Sequence, residues 1–256
     1  MTETFKAKPR RIQALPLYDV VSAYEVAQSH ADNLTENASP LYCESAAILA
    51  YALGEPLSLV RDYGKRALLA YRQILRRRPP LERFQKPIGP GSWLDHSSAA
   101  SSQSLRYLYW ALLLREADLA REIAEGTWDP PHMGKIRIYP EYRVAYGLRD
   151  LILGRNAQAL SELERLPVSA KLYFRQQASA ISSLAREART EVAPAIVALS
   201  NATRLAMRQE YLPQLKIFAL PGAGLASNAL DRGLMTEEQL PREIDAFPTE
   251  LVSTPG

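Results

Sequence analysis

Apolar residues recur every three or four positions along nearly the whole sequence, and the two-residue alternation of β-strands is almost absent. In the segment LYDVVSAYEVAQSHADNL, residues 17 to 34, Val20, Val21, Tyr24 and Ala27 fall on one face of a helix. A helix with one apolar face is stable only when that face is buried against another element. The sequence therefore predicts an all-α protein, an irregular multi-helix bundle or a short solenoid of antiparallel helix hairpins, with about nine to ten helices.

Proline, glycine and charge indicate the boundaries within the chain. Residues 79–97 contain four prolines and two glycines, a density that interrupts regular structure. Residues 236–256 carry a net charge of −4, whereas the preceding 235 residues carry +7. We therefore expect an N-terminal extension at 1–16, a single helical domain at 17–235 that contains the loop at 79–97, and an acidic C-terminal tail at 236–256.

Two stretches have the pattern of antiparallel helix hairpins with a glycine at the bend. These are AILAYALGEPLSLVRDYGKRALLAY, with Gly54, and YRVAYGLRDLILGRNAQALSELERL, with Gly154. Both resemble the local units of tetratricopeptide-like proteins, although the full repeat signature is absent. A further bend is predicted near Arg115 and Glu116.

Three more helices are predicted at about 169–189, 191–210 and 214–232. Pro194 is expected in the first turn of the second of these helices, where proline is tolerated. Pro221, with Gly222 and Gly224, is expected to kink or split the third.

The chemistry-bearing residues do not form a recognisable catalytic or metal-binding motif. Ser92, Asp95 and His96 lie together, but no G-x-S-x-G pattern surrounds them, and this stretch is better interpreted as a loop that caps the following helix. The three histidines are far apart in the sequence, and the single cysteine, Cys43, lies in an apolar helix and is expected to act as a small buried hydrophobe. No metal site and no cofactor are predicted.

Charge and hydropathy limit the partners. The arginines between residues 76 and 83, near Phe84, are compatible with phosphate binding, but the overall charge of +3 is low for a nucleic-acid-binding protein, and a solvated helix end is the simpler interpretation. No stretch of about 18 apolar residues and no signal peptide is present, so we expect a cytoplasmic protein without membrane contact.

Three segments resemble the helical immunity proteins encoded beside bacterial polymorphic and contact-delivered toxins, specifically the immunity protein 49 family. The first is SWLDHSSAASSQSLRYLYWALLLREADLAREIA, in which a tryptophan introduces an apolar helix that ends in an arginine-acidic turn. The second is the hairpin segment YRVAYGLRDLILGRNAQALSELERL, and the third is YLPQLKIFALPGAGLASNALDRGL. The resemblance extends over about residues 40 to 235.

The resemblance implies a protein that is not an enzyme and that neutralises a cognate toxin by stoichiometric binding, as a monomer or homodimer. The basic body favours a toxin with an acidic face, although the acidic tail is a second possible contact. Two alternatives stay open: a tetratricopeptide-like adaptor that binds a peptide or protein, and a helical enzyme acting on nucleic acids or phosphoesters through the arginine cluster. Aromatic and arginine residues dominate interface energetics, so the predicted partner contacts are the following residues of the two irregular loops: Phe84, Trp93, Asp95, Trp128, His132, Arg137 and Tyr139.

Overall fold

The described part of the protein is entirely helical. A computed structural model describes residues 17–32, 39–77, 102–127, 140–207 and 218–254, and these residues contain no strand. This confirms the predicted all-α fold. The α-helices are α1 Leu17–Asp32, α2 Pro40–Leu53, α3 Leu57–Arg76, α4 Ser102–Leu113, α5 Ala117–Gly126, α6 Pro140–Ile152, α7 Asn156–Glu164, α8 Leu172–Ala185, α9 Arg189–Met207, α10 Leu220–Asp231 and α11 Thr249–Ser253, with a short 3-10 helix at Glu237–Gln239.

The helices pair into antiparallel hairpins that pack side by side. The pairs are α2 with α3, α4 with α5, α6 with α7 and α8 with α9, and α1 packs on α2. Each hairpin also contacts the next: α3 packs on α4, α4 on α6, and α6 on α8. The structure is therefore a bundle of helix hairpins, and the bends predicted at Gly54, Gly154 and Arg115 are confirmed.

The hairpin turns share one backbone motif. At the first turn, Gly54 N–H donates to the Tyr51 carbonyl (3.1 Å) and Glu55 N–H donates to the Ala50 carbonyl (3.0 Å), with Gly54 in the left-handed conformation. This is the Schellman arrangement, which satisfies the free carbonyls at a helix end. The same pair of hydrogen bonds and a positive φ recur at the following residues: Arg115, Gly154, Glu187 and Gly233. Five helices thus end in the same way, and these five residues are all the positive-φ residues in the described ranges.

Helix α10 packs along α4 and also contacts α8 and α9. It begins at Leu220 rather than at about 214, since Phe218 and Ala219 are not helical, and it is unbroken from there to Asp231. Pro221 therefore marks the start of the helix and does not kink it, because proline in the first turn lacks only an N–H that would have no partner there. A Cβ on Gly224 would lie 2.5 Å from the Tyr109 carbonyl oxygen of α4, and one on Gly222 would overlap the Ser200 hydroxyl of α9. The two glycines therefore serve close packing between helices.

Helix α9 begins earlier than predicted. It starts at Arg189 instead of about 191, which places Pro194 inside the helix, two residues further from the start than the sequence suggested. The backbone of the preceding turn explains the difference, because Glu187 ends α8 in a left-handed conformation and Val192 N–H already bonds to the Ala188 carbonyl. The helix accommodates the one amide hydrogen bond that proline cannot make.

Residues 234–254, here called the C-terminal strap, belong to the folded body. The strap begins directly after the Gly233 turn, and Ala219 N–H donates to its Ala246 carbonyl (2.7 Å). Apolar strap residues lie in the same core as the hairpins: Leu234, Met235, Leu240, Ile244, Phe247, Leu251 and Val252. The acidic residues of the strap are exposed, namely Glu237, Glu238, Glu243, Asp245 and Glu250.

Aromatic side chains form the centre of the core. Trp110 of α4 is fully buried and stacks on Phe218 with ring centroids 5.3 Å apart. In α3, the side chains of Tyr63, Leu68 and Tyr71 are fully buried. Pro40 is the first residue of α2, and the Ser39 side chain before it makes no capping hydrogen bond.

Candidate functional site

The partner contacts predicted from the sequence lie outside the described residues. The structure therefore does not place them relative to one another, and they stay predictions. They are Phe84, Trp93, Asp95, Trp128, His132, Arg137 and Tyr139.

A cavity of about 420 Å³ lies where four of the Schellman turns meet, those at Arg115, Gly154, Glu187 and Gly233. This end of the protein is here called the turn face. The helices whose last turns surround the cavity are α4, α6, α8 and α10, because the hairpins stack with their bends at the same end. Apolar side chains line part of it, namely Leu112, Ala117, Ala120, Leu151 and Ile152.

Four polar side chains complete the lining: Asn156, Glu187, Asn228 and Arg232. Arg232 Nη2 lies 2.9 Å from Glu187 Oε1, and the Glu187 side chain is 64% exposed while that of Arg232 is 27% exposed. The Oδ1 atom of Asn228 is buried and has no hydrogen-bond partner among the described residues. The one carboxylate at the rim of the cavity, that of Glu187, is thus paired with Arg232.

The backbone at Arg115 is strained, and its side chain offsets the strain. A non-glycine residue in the left-handed region costs roughly 1–2 kcal/mol, and Arg115 has φ 58°. Its guanidinium donates from Nε to Asp231 (2.8 Å) and from Nη2 to the Val252 carbonyl (3.1 Å). Hydrogen bonds of a charged group contribute about 1.5–3 kcal/mol each, so these contacts outweigh the backbone cost.

Glu187 has the same backbone strain as Arg115, but its side-chain contacts stabilise the folded state less. Its φ is 54°, and among the described residues its side chain contacts Arg232 alone. An exposed ion pair of this kind contributes about 0–1 kcal/mol, which is less than the roughly 1–2 kcal/mol of left-handed strain. Uncompensated strain at a cavity rim is typical of a residue held in place for binding.

A second polar cluster is buried between α2 and α4. The Glu44 carboxylate is fully buried and accepts hydrogen bonds from Trp110 Nε1 (3.0 Å) and Arg106 Nη1 (3.2 Å). Burial raises the pKa of Glu44, and the Arg106 charge and the Trp110 hydrogen bond oppose that shift. Beside it, the Tyr71 and Ser104 hydroxyls are hydrogen-bonded at 2.6 Å. The cluster joins two hairpins through satisfied hydrogen-bond partners, and the Arg106 side chain extends from it toward the surface, where it is 34% exposed.

Another buried contact joins α4 to α8. Tyr109 donates its hydroxyl to Gln177 Oε1 (2.7 Å), and burial raises the pKa of Tyr109 well above its ordinary value. The Nε2 atom of Gln177 is buried and has no hydrogen-bond partner within the ranges that the structure describes.

Three other residues singled out in the sequence lie in the described ranges, and each is buried in the protein or contacts another residue of it. Cys43 is fully buried, as predicted, and burial raises the pKa of its thiol. Arg76, the first residue of the arginine cluster, forms an ion pair with Glu122 at 2.7 Å. His30 stacks on Tyr42 with ring centroids 4.3 Å apart.

Sequence reasoning missed the cavity and both Glu187 and Asn228. The turn at Glu187 has no glycine, so the strongest helix-stop signal was absent there. The available signal was weaker: Ala-Arg-Glu-Ala at 185–188 follows an apolar helix as Leu-Leu-Arg-Glu-Ala does at the Arg115 turn. The approach of α10 to the other helices is long-range and left no local pattern.

Comparison of the chain with models of known protein families, with curated proteins and with solved structures finds no match in any of the three. No described helix combines the length and hydropathy that crossing a bilayer requires. Within the same residues, no group of three or more His, Cys, Asp or Glu side chains is placed to hold a metal ion.

Proposed function

We propose that this chain is an immunity protein, which neutralises a cognate bacterial toxin in the cytoplasm by binding it in a stoichiometric complex. It acts by covering the toxin's active site or another essential surface and catalyses no reaction itself. The three sequence segments that resemble the immunity protein 49 family support the choice of partner. The stacked hairpins support a role in protein binding.

The observation that carries the proposal is the preformed turn face. Four helix ends with the same hydrogen bonds fix the backbone of its turns. The C-terminal strap is tied to two of the hairpins: Tyr51 donates to Glu250 (2.5 Å), Arg61 donates to the Leu251 carbonyl (3.1 Å), and Arg115 donates to the Val252 carbonyl. A surface that is already ordered loses little conformational entropy on binding. Tight inhibition by a small helical protein depends on such preorganisation.

Co-expression tests the proposal. The chain is expressed with the toxin module encoded by the neighbouring gene, and cell growth is measured with and without it. The proposal expects restored growth and an equimolar complex in size-exclusion chromatography with light scattering. If cells are not protected and no complex forms with a folded toxin, the immunity function is wrong.

The predicted loop contacts are tested in the same assay. Trp93→Ala and Trp128→Ala are expected to weaken the complex at least tenfold if these loops form the interface core, since truncating a central aromatic costs about 2 kcal/mol or more. The matched control is Trp110→Phe, which changes a tryptophan in the core and reports on folding alone. Unchanged affinity in both loop variants would remove the loops from the interface.

The adaptor function remains the second candidate, because stacked antiparallel hairpins are also the architecture of proteins that bind peptides. It expects binding to several unrelated partners that share a short motif. An immunity protein is expected to bind the neighbouring toxin alone, so a panel of unrelated toxin modules separates the two functions.

A further inference from the structure

We propose that the outer side of helix α8, together with the turn before it, binds an acidic surface of the partner protein that carries an apolar side chain at its centre. This region is here called the α8 surface and consists of the following exposed residues: Val168, Lys171, Leu172, Arg175, Ser179 and Arg186. It extends from the turn between α7 and α8 to the Glu187 turn on the turn face. The inference rests on the proposed function in one respect, that the partner is the cognate toxin.

The exposed residues of α8 follow one side of the helix. Lys171 is the residue before its first turn, and Arg175, Ser179 and Arg186 follow at intervals of four, four and seven residues. These intervals are close to whole numbers of helical turns, so the side chains lie in one row. The other side of α8 is buried in the core through apolar residues of successive turns: Ala178, Ile181 and Leu184. Helix α8 is therefore fixed in the body by one side and presents the other to a partner.

The α8 surface is cationic. Residues 165–186 contain four cationic side chains and no Asp or Glu. Arg165 has a carboxylate partner at 3.7 Å, but the other three form no ion pair with any described residue: Lys171, Arg175 and Arg186. Of the carboxylates that border the segment, that of Glu164 is exposed and that of Glu187 is paired with Arg232. Within the described ranges, unpaired cations therefore outnumber unpaired carboxylates on this side of the protein.

Exposed cations on α3 are, in contrast, paired within the chain. Lys65 Nζ lies 2.7 Å from Glu116 Oε1, and Arg66 Nη2 lies 2.7 Å from Asp62 Oδ2. Two opposite charges in contact leave only a weak field for a partner. The cations of the α8 surface keep their full charge toward solvent, and complementary charge across an interface speeds encounter and selects the partner. The complementary partner surface is acidic.

Two apolar side chains lie at the start of the α8 surface. Val168 is 94% exposed and Leu172 is 48% exposed, and the described residues contain only two other exposed large apolar side chains. Ala170 N–H donates to the Pro167 carbonyl (2.9 Å), which closes the turn and holds Val168 at its tip. Turn tips usually carry Gly, Asn or Asp, so this valine is not explained by the turn itself. An apolar side chain of the partner is expected to be buried against Val168 and Leu172.

A protein fits this combination better than a nucleic acid or a membrane. A phosphate backbone offers no apolar surface to cover Val168 and Leu172, and bases bind by stacking on aromatic side chains, which the α8 surface does not contain. Membrane binding by a helix requires a broad exposed apolar face, and that of α8 is already buried in the core. Both ligands nevertheless enter the test as competing outcomes.

The test measures binding of the full-length protein to the toxin module encoded by the neighbouring gene, by isothermal titration calorimetry. Arg175→Glu is expected to weaken the complex at least about tenfold, because it places a negative charge against an acidic surface. The matched control is Arg121→Glu, which reverses an exposed cation on α5 that has no ion pair among the described residues. Both variants change the net charge equally, so a long-range effect of charge would weaken both. The control is expected to change the affinity less than about twofold, because solvent screens distant exposed charges.

A second pair of variants tests the apolar contact. Val168→Asp is expected to weaken the complex at least about tenfold, since it puts a charge into the centre of the interface. Val26→Asp, at a site on α1 that is 55% exposed, is the control and is expected to have little effect. All four sites are exposed, so the circular dichroism spectra and melting temperatures should match those of the parent protein. Added salt should weaken the parent complex more steeply than the complex of Arg175→Glu.

Binding of both α8 variants as tight as that of their controls would overturn the inference, and protection in the co-expression assay would then leave the immunity function standing. A complex that depends on Arg175 and Val168 but does not protect cells would keep the α8 surface and refute neutralisation. If the parent protein forms no complex with the folded toxin, both proposals fall. Binding to a DNA duplex or to phosphatidylserine vesicles that Arg175→Glu abolishes would then assign the surface to that ligand.

Discussion

Replacing Glu187 by glycine is expected to stabilise the protein, although it deletes an ion pair. The substitution relieves left-handed strain of roughly 1–2 kcal/mol and removes an exposed pair with Arg232 that contributes about 0–1 kcal/mol. The expected net gain is about 1 kcal/mol in the free energy of unfolding. For a protein of this size, that gain raises the melting temperature by about 2–4 °C.

The same substitution at Arg115 is expected to have the opposite sign. The strain at the two residues is alike, with φ values of 58° and 54°. Arg115→Gly, however, also removes the hydrogen bonds to Asp231 and Val252, which together contribute about 3 kcal/mol or more, part of which the buried and unpartnered Nη1 cancels. The expected net loss is about 1–2 kcal/mol.

Gly154→Ala measures the free-energy cost of left-handed backbone strain without any other contribution. A Cβ at Gly154 would meet nothing within 4 Å, and φ is +72°, so steric overlap is excluded and strain alone remains. The expected cost is roughly 1–2 kcal/mol. Gly233→Ala, with φ +63° and equally open surroundings, measures the same cost at a second turn.

Urea unfolding followed by circular dichroism at constant pH measures all four variants, with the midpoint and the slope fitted separately. The strain account requires stabilisation by Glu187→Gly and destabilisation by the other three. If Glu187→Gly costs as much as Arg115→Gly, or if Gly154→Ala costs nothing, the reasoning about the turns is refuted.

Three further predictions concern the core and the strap. Burial raises the pKa of Glu44, so the folded state keeps the carboxyl proton to higher pH than the unfolded state does. The free energy of unfolding should therefore fall as the pH rises from the ordinary carboxyl pKa through the raised pKa. The slope is at most about 1.4 kcal/mol per pH unit. Glu44→Gln should lack this component, and urea unfolding at several pH values that gave parallel curves for both proteins would contradict it. Gly224→Ala should cost about 2–3 kcal/mol in thermal unfolding, because the Tyr109 backbone cannot move aside, whereas Gly222→Ala should cost less and be rescued by Ser200→Ala. If Gly224→Ala and Gly222→Ala both left the stability unchanged, and Ser200→Ala therefore restored nothing, the close packing would be contradicted. Stopping the chain before the C-terminal strap should lower the free energy of unfolding by at least about 5 kcal/mol, a third or more of a typical domain's stability, because several large apolar side chains lose their burial. A truncated chain that keeps its cooperative unfolding transition would disprove this.

The sequence predicts those features of the fold that depend on neighbours along the chain. Helical periodicity gave the all-α class, and the glycine stops at Gly54 and Gly154 gave two hairpins, because both signals are local and tied to one backbone geometry. The turn at Glu187 lacks that signal, and its left-handed backbone appears only in the folded protein.

Long-range packing accounts for the predictions that failed. The Pro-Gly-Ala-Gly stretch at 221–224 indicates a break on propensity, yet its small residues are what allow α10 to approach α4. The strap was set apart by its charge, although its apolar residues alternate with the acidic ones and are buried. The cavity depends on four turns distant in sequence, so no single segment encodes it.

The long separation of α4 and α10 along the chain has a consequence for biosynthesis. Trp110 finds its stacking partner Phe218 only after more than a hundred further residues have been translated, and the Ser227 hydroxyl bonds to a carbonyl 114 residues earlier. At about 5–20 residues per second the ribosome needs roughly 5 to 20 seconds for that interval. The nascent chain therefore carries an uncovered tryptophan face for seconds, a target for chaperones, and its interior is completed only once α10 has been translated.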